Sequence, residues 1–462
     1  MQYIYKRIEF WIIIFFLIRL IGITNPPLEI SHSWRQVTGL MVARNFLEID
    51  SRIQYPRVDD NQGQTGIIGM EFPFMNYLFF GVAKILGYTH WYGRLLNLIL
   101  SSLGIYYFFE VIRKYFSPQL AFTSSLILLS SIWFSFSRKT MPDTACISLI
   151  FIGLFYGLEF MKNGGMKNLI LYTLLSGLAI LIKIPAGIYL SVFVLPMFSK
   201  DYTLKFKIQW CVASAVLLSV CFIWYFVWNP YLSETYGNWY NSGKPLLVGF
   251  REIANNLNQV FEKFYFSSLH SFIFFTVLPF GLYFIYRKKE RTLLYALCIV
   301  SAAFLVYIFK SGYFFYHHDY YIIPYVPMMA LTAGFAVNQI KNKWLFCIVL
   351  LSGMVEAIAN QQHDLFIKPS EKYKLSIESI ADSVSQRTDL IVVNGDQNPQ
   401  LIYLSHRKGW TCNNSQLLDS LFIQDLAKKG CRYVFVDRKS FQTDLFLERR
   451  YVDDNFCVYK IH

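Results

Sequence analysis

The chain has 462 residues, of which 55% are hydrophobic, 18% aromatic and only 16% charged, against about 25% charged in a soluble protein. Apolar runs approaching or reaching the ~20 residues that cross a bilayer recur along it, which excludes a soluble globular protein and predicts a polytopic helical membrane protein. The net charge of +13 lies in the membrane half: 29 Lys and Arg stand against 17 Asp and Glu up to Gln362, and 14 against 13 from His363 onward. Basic residues in that half belong to cytoplasmic loops, so nucleic acid is not an expected partner.

The first apolar run, 10–23, follows Lys6 and Arg7. No A-x-A-like cleavage site follows it, so it reads as an uncleaved first span with its N-terminus in the cytoplasm. Hydropathy predicts about eleven spans in all, near 9–24, 90–112, 119–137, 143–161, 167–182, 185–199, 208–228, 268–286, 292–309, 319–339 and 343–360. The basic clusters Lys6/Arg7, Arg113/Lys114, Lys162/Lys167, Lys200/Lys205/Lys207, Arg287–Arg291 and Lys341/Lys343 then share one side, the cytoplasm, and the C-terminal part lies outside. The expected domains are 1–362, in the membrane with outer loops 25–89 and 229–267, and 363–462, a small extracytoplasmic α/β domain.

Within the first outer loop, Trp34, Val37, Leu40, Met41 and Leu47 recur at helical spacing after Ser31 and Ser33. That predicts an amphipathic helix in the outer interface with a serine N-cap. The tail holds the β-rich runs "DLIVVNG" and "CRYVFVD" and the helical "LLDSLFIQDLAKKG", which stops at Gly430. No glycine-rich phosphate loop opens its helices, so it reads as an accessory or acceptor-recognition module. Five cysteines in apolar runs read as packing residues. Cys412, Cys431 and Cys457 fall in the tail without a CxxC pattern, and one disulfide among them is left open.

Charged groups at membrane depth or at its edge are costly and so mark candidate sites. The loop "YPRVDDNQGQTGIIGMEFP" supplies Arg57, Asp59, Asp60 and Glu71; Asp59 and Glu71 are candidate bases for an attacking hydroxyl. Asp143 in "SRKTMPDT" either caps the fourth span or serves the site. Lys183 in "LIKIP" either snorkels or anchors a phosphate oxyanion, and Arg35, Arg57 and Arg138 are candidates to join it. "YFFYHHDYYIIPYVP" places His317, His318 and Tyr321 at the outer end of the tenth span, as hydrogen-bonding groups for a phosphate or sugar. Two adjacent histidines without a third ligand do not make a metal site. Trp228, Tyr231, Tyr236, Trp239 and Tyr240 either stack on sugars or anchor the interface. No cofactor is named by these residues; a divalent cation is compatible with them but not indicated.

Several stretches in order resemble a known family: "HSWRQVTGLMVARNFLE", "YPRVD", "GMEFPFMNYL", "YGRLLNL", "MPD", "GLAILIKIP", "HDYYIIPYVP" and "SHRKGW". Together they are similar to the bacterial branch of the GT-C glycosyltransferases, the group of protein O-mannosyltransferases and of the aminoarabinose transferase of lipid A. The resemblance implies a catalytic carboxylate in the first outer loop, a polyprenyl-phosphate-sugar donor and inversion at the anomeric carbon. It also implies a bacterial inner-membrane location. The family's Asp-Glu pair at the start of the first loop helix is replaced here by Arg35-Gln36, and Thr38 stands where close relatives carry Asp. That departure raises Asp59 and Glu71, with Asp143 at the family's outer acidic position and Lys183 at its lysine segment. The expected function is transfer of a sugar from a polyprenyl phosphate to an outward lipid, glycan or protein acceptor. The alternatives are a lipid-linked-glycan transporter, which would place charges along a path through the spans, and an inactive envelope-assembly scaffold.

Overall fold

The computed structural model describes residues 4–237 and 243–461, so Trp239 and Tyr240 lie outside the described residues. By its internal contacts the chain forms two compact units. The first comprises Met1–Ile23, Arg94–Val227 and Asn241–Leu365; the second comprises Thr24–Gly93, Trp228–Tyr240 and Phe366–His462. The first outer loop, assigned to the membrane domain from the sequence, therefore groups with the C-terminal strands. Backbone bonds explain why: Gln62 N donates to Gly409 O at 2.8 Å and Gly409 N to Asp59 O at 3.1 Å.

The first unit is helical. Among the described residues of the chain, four helices are long and apolar enough to cross a membrane: Tyr92–Tyr115, Asp143–Asn163, Leu204–Tyr236 and Arg291–Ser311. A bent pair, Leu257–Ser267 with Phe272–Arg287 at 106°, makes up to five. Other expected spans take the form of shorter apolar helices, including Pro118–Ser130, Met166–Ile182, Ile184–Phe198 and Val326–Val337. The breaks are chemical. Ser117 caps Leu120 N ahead of Pro118, and Pro185 opens a 3-10 segment over Ile184–Phe193, because proline has no N–H for a continuing helix.

Small residues let these helices approach closely, as membrane bundles require. A Cβ on Gly104 would sit 2.2 Å from Ser148 Oγ, and one on Gly153 would sit 2.2 Å from Ser176 Oγ. Amide side chains fasten the link that precedes the Asp143–Asn163 helix. Asn97 Nδ2 donates to the carbonyls of Phe136 and Lys139 at 3.1 and 2.9 Å, and Gln361 Nε2 to those of Ser130 and Ser131 at 2.9 and 3.1 Å.

The second unit contains a five-stranded sheet of β1 (Leu390–Val393), β2 (Lys408–Thr411), β3 (Cys431–Asp437), β4 (Glu448–Val452) and β5 (Phe456–Lys460), in the order β2-β1-β3-β5-β4. β1 runs parallel to β2 and β3; β5 is antiparallel to β3 and β4. Val392 lies level with Trp410 on one side and Val434 on the other. The short apolar run of β1 suits a strand with neighbours on both edges. The Ser420–Lys428 helix begins at Asp419, whose side chain accepts from Leu421 N, and ends at Gly430 with φ +92°, as expected. The tail cysteines Cys412, Cys431 and Cys457 are buried and free.

The Ser33–Glu48 helix forms, but its N-cap is His32 in the left-handed region rather than a serine. It buries Gln36, Arg44 and Asn45 along with Val37, Leu40 and Met41, so it is not a simple two-faced interfacial helix. Its partner, Phe74–Leu86, packs Phe80 against Val42 and Phe46.

The close approach at Gly104 gives a direct test. Gly104→Leu should lower the thermal midpoint of the purified protein, since overpacking costs about 1–3 kcal/mol. Gly81→Leu, where a Cβ meets nothing within 4 Å, should leave it in place. Equal behaviour of the two variants would contradict the packing described.

Candidate active site

In the first unit, Asp143 opens its helix directly after Pro142, with its carboxylate in the first turn. Its carboxylate is 3% exposed. Oδ1 accepts from Lys183 Nζ, while Oδ2 is buried without a hydrogen-bond partner among the described residues. Lys183 follows the Met166–Ile182 helix in extended backbone, which turns its side chain off the helix path. It does not snorkel: it is buried, with Nζ 4.6 Å from the Tyr320 ring centroid and 5.3 Å from that of Tyr321.

The rings reach Lys183 because the chain turns sharply after Arg291–Ser311. Gly312 makes the turn at φ +52°, and a Cβ there would meet Glu252 Oε2 at 2.2 Å. The short Tyr313–His317 helix and the Asp319–Ile322 turn follow. His318 stacks on Tyr320 at 5.2 Å, and Tyr321 on Tyr307 at 5.9 Å. His317 Nε2 lies 3.0 Å from Tyr313 OH. Asp319 Oδ1 accepts from Lys263 Nζ at 2.5 Å and from Ser267 Oγ at 3.1 Å. Among the described residues no group of three or more His, Cys, Asp or Glu is placed to hold a metal ion.

Asp143, Lys183, His318 and Tyr321, chosen from the sequence, thus fall into one cluster, to which the structure adds Tyr320. Arg138 sits elsewhere in this unit. It is buried, with Nη1 donating to Asp364 O at 3.1 Å and Nη2 to Ile21 O at 2.6 Å. Beside it, Lys139 pairs with Asp364 at 2.9 Å.

The loop carboxylates of the second unit divide into two kinds. Asp59 is 2% exposed; its Oδ2 accepts from Arg44 Nη2 at 2.6 Å and its Oδ1 from Asn45 Nδ2 at 3.0 Å, with Lys408 Nζ 3.8 Å away. Burial opposes the charge on Arg44, but Asp59, Tyr403 and Tyr88 outweigh it and raise its pKa. The same burial lowers the pKa of Lys408 against the pull of Asp59. Asp60 is pushed up by burial, beside Thr411. Arg57 donates to Asp50 at 3.0 Å. Glu71 differs: it accepts from Arg35 Nη2 at 2.8 Å and keeps 26% of its side chain exposed. Trp228 Nε1 donates to Gln54 O at 2.9 Å, and Tyr55 touches the Trp228 and Tyr236 rings edge-on.

Arg44, Asn45 and Lys408 escaped the sequence reading. Their signal was a charge and an amide inside the apolar run "GLMVARNFLE", and a lysine in "SHRKGW".

Residues 71–228 match the family described as dolichyl-phosphate-mannose-protein mannosyltransferase. No curated protein matches the chain. Solved structures resemble it throughout. ArnT from Cupriavidus metallidurans bound to undecaprenyl phosphate superposes with a TM-score of 0.62 at 13% identity, covering 97% of this chain and 98% of that one. The Archaeoglobus fulgidus oligosaccharyltransferase tethered with an acceptor peptide gives 0.59 at 12% identity, over 93% of this chain and 69% of that one. The arabinofuranosyltransferase AftD from Mycobacteria gives 0.55 at 12% identity, over 97% and 41%. At such identities the likeness is one of fold.

A pH prediction follows from the second unit. His406 bridges Glu48 at 2.9 Å and Glu378 at 3.1 Å. Burial raises both carboxyls, but His406 at Glu48, and Arg387 followed by His406 at Glu378, outweigh it and hold both below the ordinary 4.5. A lowered pKa contributes stability above the unfolded value and loses it as pH falls through the folded one. Amide exchange over Ile377–Val384, corrected for intrinsic rate, should therefore quicken as pH drops below 4.5, and His406→Leu should reduce that acid-dependent part, with Arg387 retaining the rest. Exchange unchanged by acid would contradict the bridge.

Proposed function

The chain has the GT-C glycosyltransferase fold, and on that premise we propose that it transfers a sugar from a polyprenyl-phosphate donor to an extracytoplasmic lipid, glycan or protein acceptor. The observation that carries the site assignment is the Asp143 carboxylate, buried with one oxygen on Lys183 and the other without a partner. A phosphate oxygen entering on the Lys183 ammonium replaces Oδ1 there and releases the carboxylate. Asp143 then takes the proton of the acceptor hydroxyl. The acceptor oxygen bonds to the anomeric carbon from the face opposite the phosphate, the bond from that carbon to the phosphate oxygen breaks, and configuration inverts. The leaving phosphate keeps its negative charge against Lys183, so no strong general acid is needed. The rings of Tyr320 and Tyr321 cover the cation, and His318 stacks on both rings. The polyprenyl donor is supported by the undecaprenyl phosphate bound to the ArnT neighbour.

A second assignment rests on Glu71, the outer-loop carboxylate that stays partly open beside Arg35. Asp59 is held by Arg44 and Asn45 and acts in this reading as a structural group. Asp143→Asn at normal membrane abundance should cut turnover by about 10²–10⁴-fold, with Asp59→Asn and Glu71→Gln affecting it less. Loss confined to Glu71→Gln would move the base to the outer loop; full activity in Asp143→Asn would overturn the Asp143 assignment.

We place the protein in a bacterial plasma membrane as a multi-pass chain, N-terminus in the cytoplasm and C-terminal domain outside, on the distribution of its basic clusters. A membrane-impermeant maleimide should label Phe446→Cys in intact cells and spare Lys200→Cys. The reverse pattern would contradict this orientation.

A further inference from the structure

The second unit holds a polar cleft that the transfer chemistry does not use. It encloses about 360 Å³ at the carboxyl ends of β1, β2 and β3. Those strands are parallel in the order β2-β1-β3, so the chain leaves β1 toward one side and returns to the other. That switch in strand order opens a crevice at the carboxyl ends of an open parallel sheet, where such sheets bind ligands. Asp396 and Asn398 follow β1, Asn413 and Asn414 follow β2, and Ser440 follows β3; all line the cleft.

Two amides here are oriented by the backbone. Asn398 Oδ1 accepts from Gln400 N at 3.0 Å, and Asn413 Oδ1 accepts from Gln416 N at 2.9 Å. With their oxygens committed, each carries an Nδ2 donor that no acceptor among the described residues takes up. Behind them Asn394 donates to Asn414 Oδ1 at 3.0 Å and to Ser440 Oγ at 3.1 Å, which fixes the back of the cleft. Asp396 supplies the opposite chemistry. Its carboxylate is exposed and makes no ion pair or hydrogen bond among the described residues, and its backbone is held at φ +52° with its N–H on Cys412 O at 2.9 Å. A non-glycine residue in that region costs free energy, and such residues cluster at ligand sites.

We propose that this cleft binds a neutral saccharide. Two fixed amide donors and one free carboxylate acceptor match adjacent hydroxyls, each of which both donates and accepts. The other ligand classes fit poorly. The one cation in its lining, Lys374, already donates to Glu371 and to Gln400 Oε1 at 3.0 Å, so one of its three donors is left for a phosphate, whose charge the Asp396 carboxylate opposes. Both oxygens of Asp437 are taken, by Tyr373 OH at 2.7 Å and Lys439 N at 2.9 Å. A single free carboxylate falls short of the six to eight oxygens that calcium takes. The proposal goes beyond the transfer reaction, because the C-terminal unit would hold a glycan whether or not turnover occurs.

The test is binding of the full-length protein, in detergent, to an array of neutral, N-acetylated and acidic oligosaccharides, with affinities then measured in solution. A neutral oligosaccharide should bind, and Asp396→Asn, which keeps a residue tolerant of the left-handed region, should weaken it about tenfold, or ~1.4 kcal/mol. Asn413→Ala combined with Asn398→Ala should weaken it further, while Asp143→Asn should bind as the parent does. No binding at concentrations to about 1 mM, where a Kd corresponds to only about −4.1 kcal/mol, would overturn the proposal. So would affinity unchanged in the cleft variants, or lost only in Asp143→Asn, which would assign the sugar to the transfer site.

Discussion

Asp143 and Lys183 are buried together and paired, and burying a charge is costly unless it is paired. Breaking a buried pair by removing one partner costs about 3–5 kcal/mol, because it strands the other charge. The pair therefore joins the start of the Asp143–Asn163 helix to the end of Met166–Ile182. The rings of Tyr320 and Tyr321 cover the ammonium, a contact worth about 2 kcal/mol when desolvated. The pair is also incomplete, since Oδ2 of Asp143 has no partner. A carboxyl group with one oxygen on a buried ammonium and the other open is placed to receive a proton if a phosphate competes for its cation.

The second unit solves a different problem with similar parts. Its first loop must be held against the C-terminal strands, and Asp59 does this twice. Its backbone carbonyl accepts from Gly409 N, and its carboxylate gathers Arg44 and Asn45 with Lys408 nearby. Gly409 is at this junction for steric reasons: a Cβ would lie 1.9 Å from Ile391 O. The acidic loop is thus largely a joint, with Glu71 its open exception.

Much of the architecture could be read from the chain. Hydropathy, the basic clusters and the β-rich runs of the tail gave the class, and Gly430 ended the helix it was expected to end. Span number was less legible, because hydropathy sums over the Ser130–Ser131 break where the backbone does not. Within the site, Asp143 and Lys183 stood out as charges in apolar surroundings, but their pairing across 40 residues has no local signature. The same holds for Arg44 with Asp59 and for Arg138, whose guanidinium serves the carbonyls of Ile21 and Asp364. A sequence displays which charges are costly to bury, whereas their partners depend on tertiary contacts.

The most direct measurement follows the donor itself. Purified protein in lipid vesicles is given a labelled polyprenyl-phosphate sugar and cell-envelope acceptor, and both free polyprenyl phosphate and the anomeric configuration of the product are read. The account predicts release of one polyprenyl phosphate per sugar transferred, with the configuration inverted. Movement of intact donor across the bilayer without cleavage would contradict it and identify a transporter instead.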